Sequence, residues 1–126
     1  MIKVILIEDE YDFAYYVKGR LFSEGINIDV RSSEDVVKSI KEGSLGDPDV
    51  IITDVSMPMY TGFEVIEKLK ENQATANIPI IVMTFEGGEG SFEDRVEAIV
   101  HKPYKHDEFV NAIKGIYECK KKTKVS

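Results

Sequence analysis

The chain has 126 residues, a formal charge of −7, 43% apolar residues and a single cysteine, Cys119. That length fits one domain with a core of its own, one cysteine excludes an internal disulfide, and no apolar stretch approaches the roughly 20 residues that span a bilayer. Residues 114–126 hold five lysines and one glutamate, which leaves −11 on the rest, so the body lacks the basic face that nucleic-acid binding needs. Met1-Ile2-Lys3 leads straight into a short apolar run, unlike a secretory leader, and the expected location is the cytoplasm, with no membrane association.

Apolar runs of four to seven residues alternate with stretches of helical period, the pattern of repeated β-α units on a parallel sheet. The first strand is expected at 2–8, followed by a helix with the stripe Phe13, Tyr16, Val17 and Leu21 that ends at Ser23-Glu24-Gly25. The second strand is expected at 26–31. Ser32 or Ser33 can cap the next helix, whose stripe is Val36, Val37 and Ile40, and residues 43–48 form a turn-rich connection. A third strand at 49–54 precedes a helix with the stripe Phe63, Ile66 and Leu69. Ile78-Pro79 opens the fourth strand, 78–84, where proline is tolerated because no ladder bond is yet required of it. The next helix is weak: three glycines fall in 85–90, and only 91–98 has helical character. The fifth strand is expected at 97–101, followed by a last helix with the stripe Phe109, Val110, Ile113, Ile116 and Tyr117. The lysines at 120–124 suit a helix end, where they complement the carbonyl dipole, and the domain is set at 1–120 with a basic tail or linker start at 121–126.

Four of these strands end in residues suited to phosphoryl chemistry. In an open parallel sheet the carboxyl ends of the strands share one edge, so Glu8, Asp9, Asp54, Thr84 and Lys102 can converge although they are far apart in sequence. Three carboxylates at one place repel one another, and the repulsion is relieved by protonating one or by binding a hard cation such as Mg²⁺. A hydroxyl from Thr84 and the point charge of Lys102 can then serve a phosphoryl group's oxygens, leaving Asp54 as the nucleophile. Each residue alone has an ordinary reading as a solvated acid, a strand threonine or a loop lysine; only the set carries weight.

Over essentially its whole length the chain resembles the receiver domain of two-component response regulators. The resemblance rests on Glu8-Asp9, on Asp54-Val55-Ser56-Met57-Pro58-Met59-Tyr60-Thr61-Gly62, on Thr84 and on Lys102-Pro103, in order and at similar spacing. It implies a flavodoxin-like, doubly wound α/β fold with strand order 2-1-3-4-5 and helices on both faces, in which the short, glycine-rich stretch between Thr84 and Lys102 leaves a shortened fourth helix. It also implies that Asp54 accepts a phosphoryl group from a histidine kinase or phosphotransfer protein. Mg²⁺ would be held by Asp9, Asp54, the backbone carbonyl of Ser56 and, through water, Glu8. Thr84 and Lys102 would bind the phosphoryl oxygens, and the side chains of Ser56 and Glu86 would tune the lifetime of the phosphorylated state. The protein would then be a signalling switch, an enzyme only toward its own phosphorylation and dephosphorylation. It would act on a downstream target or an effector domain, as a stand-alone receiver or part of a longer regulator, as a monomer or weak dimer.

Three positions depart from the family pattern. Ile99 stands where many receivers carry a Tyr or Phe that swings inward, Phe85 stands where a small residue is usual, and the Thr84-to-Lys102 interval is short by about one helical turn. These departures motivate an alternative, a receiver-fold interaction module not controlled by phosphorylation. A Mg²⁺-dependent phosphatase would carry a second Asp at position 56, which is Ser56, and a flavin module would carry a hydroxyl-rich first loop in place of Glu8-Asp9-Glu10-Tyr11. Cys119 reads as a small apolar packing residue, His101 and His106 as loop or capping residues, and Tyr11 and Tyr15 as a partner-facing patch.

Overall fold

The computed structural model describes residues 1–85, 95–102 and 105–125. Its strands are β1 (Ile2–Ile7), β2 (Ile26–Arg31), β3 (Val50–Asp54), β4 (Ile80–Phe85) and β5 (Ala98–Lys102), all parallel, in the order β2-β1-β3-β4-β5. The described helices are α1 (Tyr11–Phe22), α2 (Ser33–Glu42), α3 (Gly62–Glu71) and α4 (His106–Val125). The first half of the weak helix expected at 91–98 lies outside the described residues, residues 95–97 are not helical, and Ala98 belongs to β5.

The apolar runs become strands because both faces of the sheet are covered. Val4 and Leu6 of β1 join Val50 and Ile52 of β3 on the face packed by α1 and α4, where Ala14, Val17, Leu21, Phe109, Val110 and Ile113 are buried. Ile5, Ile7 and Ile51 point the other way, into a second core with Val36, Val37 and Ile40 of α2 and Val65, Ile66 and Leu69 of α3. Each such Val, Ile or Leu, fully buried, contributes roughly 1.5–3 kcal/mol, so the alternation along β1 and β3 specifies register as well as stability. All five residues of β3 are buried, and Asp54 therefore enters the edge of the sheet from its most enclosed strand.

Local signals fix the helix ends. Ser32 caps α2 by accepting the Asp35 N–H at 3.1 Å, and Gly43 closes that helix in the left-handed region at φ 70°. Thr61 and Glu64 form a reciprocal capping box at the start of α3, with bonds of 3.3 and 3.1 Å.

Two expectations are corrected. Tyr16 is 54% exposed, and Ala14 takes the inner position in α1; the stripe passes through a residue too small to stand out in an apolar pattern. Cys119 is exposed on α4 and does not pack in the core. Among the described residues no helix is long and apolar enough to cross a membrane.

Candidate functional site

Asp54 is the last residue of β3 and is 7% exposed. Its Oδ1 accepts the N–H of Val55 at 2.8 Å and pairs with the Lys102 ammonium at 2.9 Å. Lys102 ends β5, two strands away, and its Nζ also lies 5.7 Å from the centre of the Phe13 ring on α1. Sheet order explains this reach: β4 lies between β3 and β5, and the lysine's four-carbon stem crosses it at the carboxyl edge. Thr84 is buried near the end of β4, one residue beyond the Met83 that pairs with Asp54. Ser56 is exposed in the turn after β3.

Glu8 follows β1 and is 3% exposed. Its Oε1 accepts the N–H of Glu10 at 3.0 Å, and its Oε2 is buried with no hydrogen-bond partner among the described residues. Burial, more than the nearby charge of Asp54, pushes the Glu8 carboxyl up to about 7; the Glu10 N–H and the charge of Lys102 oppose that rise. A protonated Glu8 can donate to Asp54, whereas an ionised one faces a like charge. An unsatisfied, buried carboxylate oxygen beside a second carboxylate is a donor set that fits a hard divalent cation.

Asp9 is placed differently from the three-acid convergence expected of it. Both of its oxygens turn to the start of α2: Oδ1 accepts the N–H of Ser33 at 3.0 Å and Oδ2 accepts the Ser33 hydroxyl at 3.1 Å. Ser33 is completely buried. Among the described residues no group of three or more His, Cys, Asp or Glu side chains is gathered to hold a metal. The structure thus brings Glu8, Asp54 and Lys102 together and assigns Asp9 to a helix terminus, whose positive dipole end favours a carboxylate. The expected roles of Phe85 and Glu86 rest on a side chain and a residue outside the described set.

Sequence reasoning missed several contributors. Phe13 reads from the pattern as a core residue only, yet it borders the Lys102 ammonium. Thr53 is buried and donates its hydroxyl to the carbonyl of Asp54 at 2.9 Å, turning the end of β3 into a fixed platform. The one signal for Ser33 was its place at a helix start, where either of two adjacent serines could have been the cap.

The strand order, with paired carboxylates and an ion-paired lysine on its carboxyl edge, defines a flavodoxin-like α/β domain. The profile of the response regulator receiver domain matches residues 4–114, and the chain belongs to that family. Receiver domains are the signalling switches of two-component systems, working with histidine kinases and downstream effectors. Among similar proteins, the probable transcriptional regulator ycf29 of Pyropia yezoensis is 25% identical over 121 residues, which are 90% of this chain and 52% of that protein. The chain thus spans about half the length of that relative. A Francisella response-regulator receiver domain superposes with a TM-score of 0.82 at 20% identity, covering 95% of this chain and 99% of its own. The receiver domain of a sensor histidine kinase from Pseudomonas aeruginosa, solved with magnesium in its active-site cleft, gives a TM-score of 0.79 at 18% identity over 94% of this chain and 99% of that one.

Proposed function

We propose that this receiver is switched by phosphorylation of Asp54, with a histidine kinase or a phosphotransfer protein as donor. The observation that carries the proposal is the 2.9 Å ion pair between Lys102 and Asp54, which sets an ammonium beside a buried carboxylate at the end of the central strand. A carboxylate oxygen of Asp54 attacks phosphorus; the O–P bond forms as the donor's P–N bond breaks, and the imidazole leaves with the electron pair. With the Asp54 oxygen bonded to phosphorus, the Lys102 ammonium follows the charge to a phosphoryl oxygen, while the Thr84 hydroxyl donates to another. Thr53 and the N–H of Val55 hold the acceptor in place throughout.

The residues assigned to Mg²⁺ are Glu8, Asp9, Asp54 and the carbonyl of Ser56. Bound there, the ion supplies the positive charge that lets several carboxylates and an incoming phosphoryl group share one site. Hydrolysis by water at phosphorus returns Asp54 and inorganic phosphate. The output is altered binding to a downstream target or effector domain, with no nucleic-acid contact by this domain and with the chain acting in the cytoplasm.

Incubation with Mg²⁺ and acetyl phosphate, followed by intact mass measurement, tests the reading. The wild type is expected to gain one phosphoryl group and Asp54→Ala none. No gain in the wild type under conditions that label other receivers would instead favour an interaction module independent of phosphorylation.

A further inference from the structure

Asp9 is the one acidic residue of the site whose two oxygens are both engaged elsewhere. Its partner, Ser33, lies 24 residues away, is completely buried, and offers a backbone N–H and a hydroxyl to separate oxygens of the same carboxylate. The contact is the side-chain link between the β1–α1 loop and the first residue of a ten-residue helix. Ser32 already caps that helix through Asp35, so the Asp9–Ser33 pair is a second, independent anchor. Meanwhile, among the described residues, Glu8 keeps a buried oxygen without a hydrogen-bond partner beside Asp54, and the three acids do not form a metal-holding group.

We propose that Ser33 is a positioning residue that competes with the cation for Asp9, and so sets the Mg²⁺ affinity of the Glu8–Asp54 site. The inference rests on the metal-dependent acceptor site proposed above. With Asp9 on Ser33, the site offers two carboxylates; with Asp9 released, it offers three. A cation that recruits Asp9 must displace two hydrogen bonds to an ionised carboxylate, which are stronger than bonds between neutral groups. By linkage, whatever strengthens the Ser33 contact weakens the cation, and the cation in turn loosens the start of α2 by the same factor. Metal occupancy is thereby coupled to the β2–α2 junction, on the opposite side of β1 from Lys102.

The test follows Mg²⁺ titrations of the acetyl-phosphate-free protein by backbone amide shifts at residues 8–9, 33–36 and 54–56. Ser33→Ala, which removes the hydroxyl and keeps the N–H, is expected to tighten Mg²⁺ by about three- to tenfold. In an Asp9→Ala background the same change is expected to leave Mg²⁺ affinity unaltered, which a merely structural role for Ser33 does not predict. In the wild type, saturating Mg²⁺ is expected to speed hydrogen exchange at the Ser33 amide about fivefold or more, a readout that needs no variant to fold. Unchanged or weaker affinity in Ser33→Ala, or an unchanged Ser33 amide, overturns the inference while wild-type Mg²⁺ binding leaves the acceptor reading standing. Binding by Ser33→Ala but not by the wild type supports the competition in its strongest form. No binding by either protein overturns both.

Discussion

Gly62 begins α3 so close to the end of β3 that a Cβ there would stand 2.6 Å from the carbonyl oxygen of Asp54 and 3.0 Å from Cα of Val55. Those neighbours are backbone, and the Gly62 N–H is itself bonded to the Val55 carbonyl at 2.8 Å, so neither side can yield without moving Asp54 and Val55. The glycine is required by close approach, not by an unusual φ.

Gly62→Ala is therefore expected to destabilise the fold by about 1–3 kcal/mol despite alanine's better helix propensity, and to slow phosphorylation of Asp54. Gly19 in α1 and Gly115 in α4 have nothing within 4 Å of the corresponding position. Alanine at either is expected to stabilise by roughly 0.5–1 kcal/mol without changing phosphorylation. Urea unfolding and phosphorylation rates of the three variants check the contrast; a neutral Gly62→Ala would show that the β3–α3 connection has slack.

The position of Gly62 in the motif was legible before its reason was. The strands, and the placing of Glu8, Asp54, Thr84 and Lys102 at their ends, follow from apolar runs bounded by polar residues, because a strand buried on both faces reads as a near-continuous apolar run; the sheet order follows only from the resemblance to receiver domains. Side-chain direction is a different matter. Whether Asp9 turns toward Asp54 or toward Ser33 depends on where β2 delivers the start of α2, a placement set by packing that no local pattern encodes. Tyr16 and Ala14 show the same limit: periodicity gives a helix and roughly its inner face, but a difference of about two residues rotates the inner edge past a tyrosine. The Lys102–Phe13 proximity joins residues 89 positions apart and depends on the lysine stem reaching back across β4 toward Asp54.

The raised Glu8 carboxyl carries a pH signature. In the unfolded chain Glu8 ionises near 4.5, whereas in the folded protein it holds its proton up to about 7, first because it is buried and then because Asp54 is charged. Its contribution to stability is thus fully present below pH 4.5 and is lost as pH rises through 7, a change of up to ~3 kcal/mol. Denaturation in EDTA across pH 4–8 is expected to show this decline superimposed on the other groups, and Glu8→Gln is expected to flatten it. Saturating Mg²⁺ should restore wild-type stability at pH 8 and leave Glu8→Gln little changed.

Lys102 restrains both acids at once, as the partner of Asp54 and as a charge that lowers the Glu8 carboxyl. Lys102→Met keeps most of the stem over Phe13 and removes the ammonium. At pH 8 without metal it is expected to cost roughly 2 kcal/mol, below the range for a fully enclosed pair because Lys102 is partly exposed. At pH 5, with Glu8 protonated, the cost is expected to be smaller. Urea midpoints at the two pH values check the difference, and equal losses would mean that the ammonium acts on Asp54 alone.

Glu24, just after α1, accepts His106 Nε2 at 3.1 Å through one oxygen and lies 3.6 Å from the Lys114 ammonium through the other, so a single carboxylate ties two positions of α4 to the α1–β2 turn. The His106 hydrogen bond, ahead of the Lys114 charge, lowers the Glu24 carboxyl below its ordinary value. With a lowered folded value, the stabilisation is present above about pH 4.5 and is lost as pH falls through that lowered value. Glu24→Gln is expected to remove this acid-side loss and to speed amide exchange in the first turns of α4 at neutral pH, while leaving exchange at Asp54 and Val55 unchanged. Added salt should weaken the wild-type tie, because its charges are solvated, but should have little effect on the variant. If α4 exchanges equally in both proteins, packing of Phe109, Val110 and Ile113 against β1 and β3 is enough to hold the helix, and the Glu24 contacts add only surface complementarity.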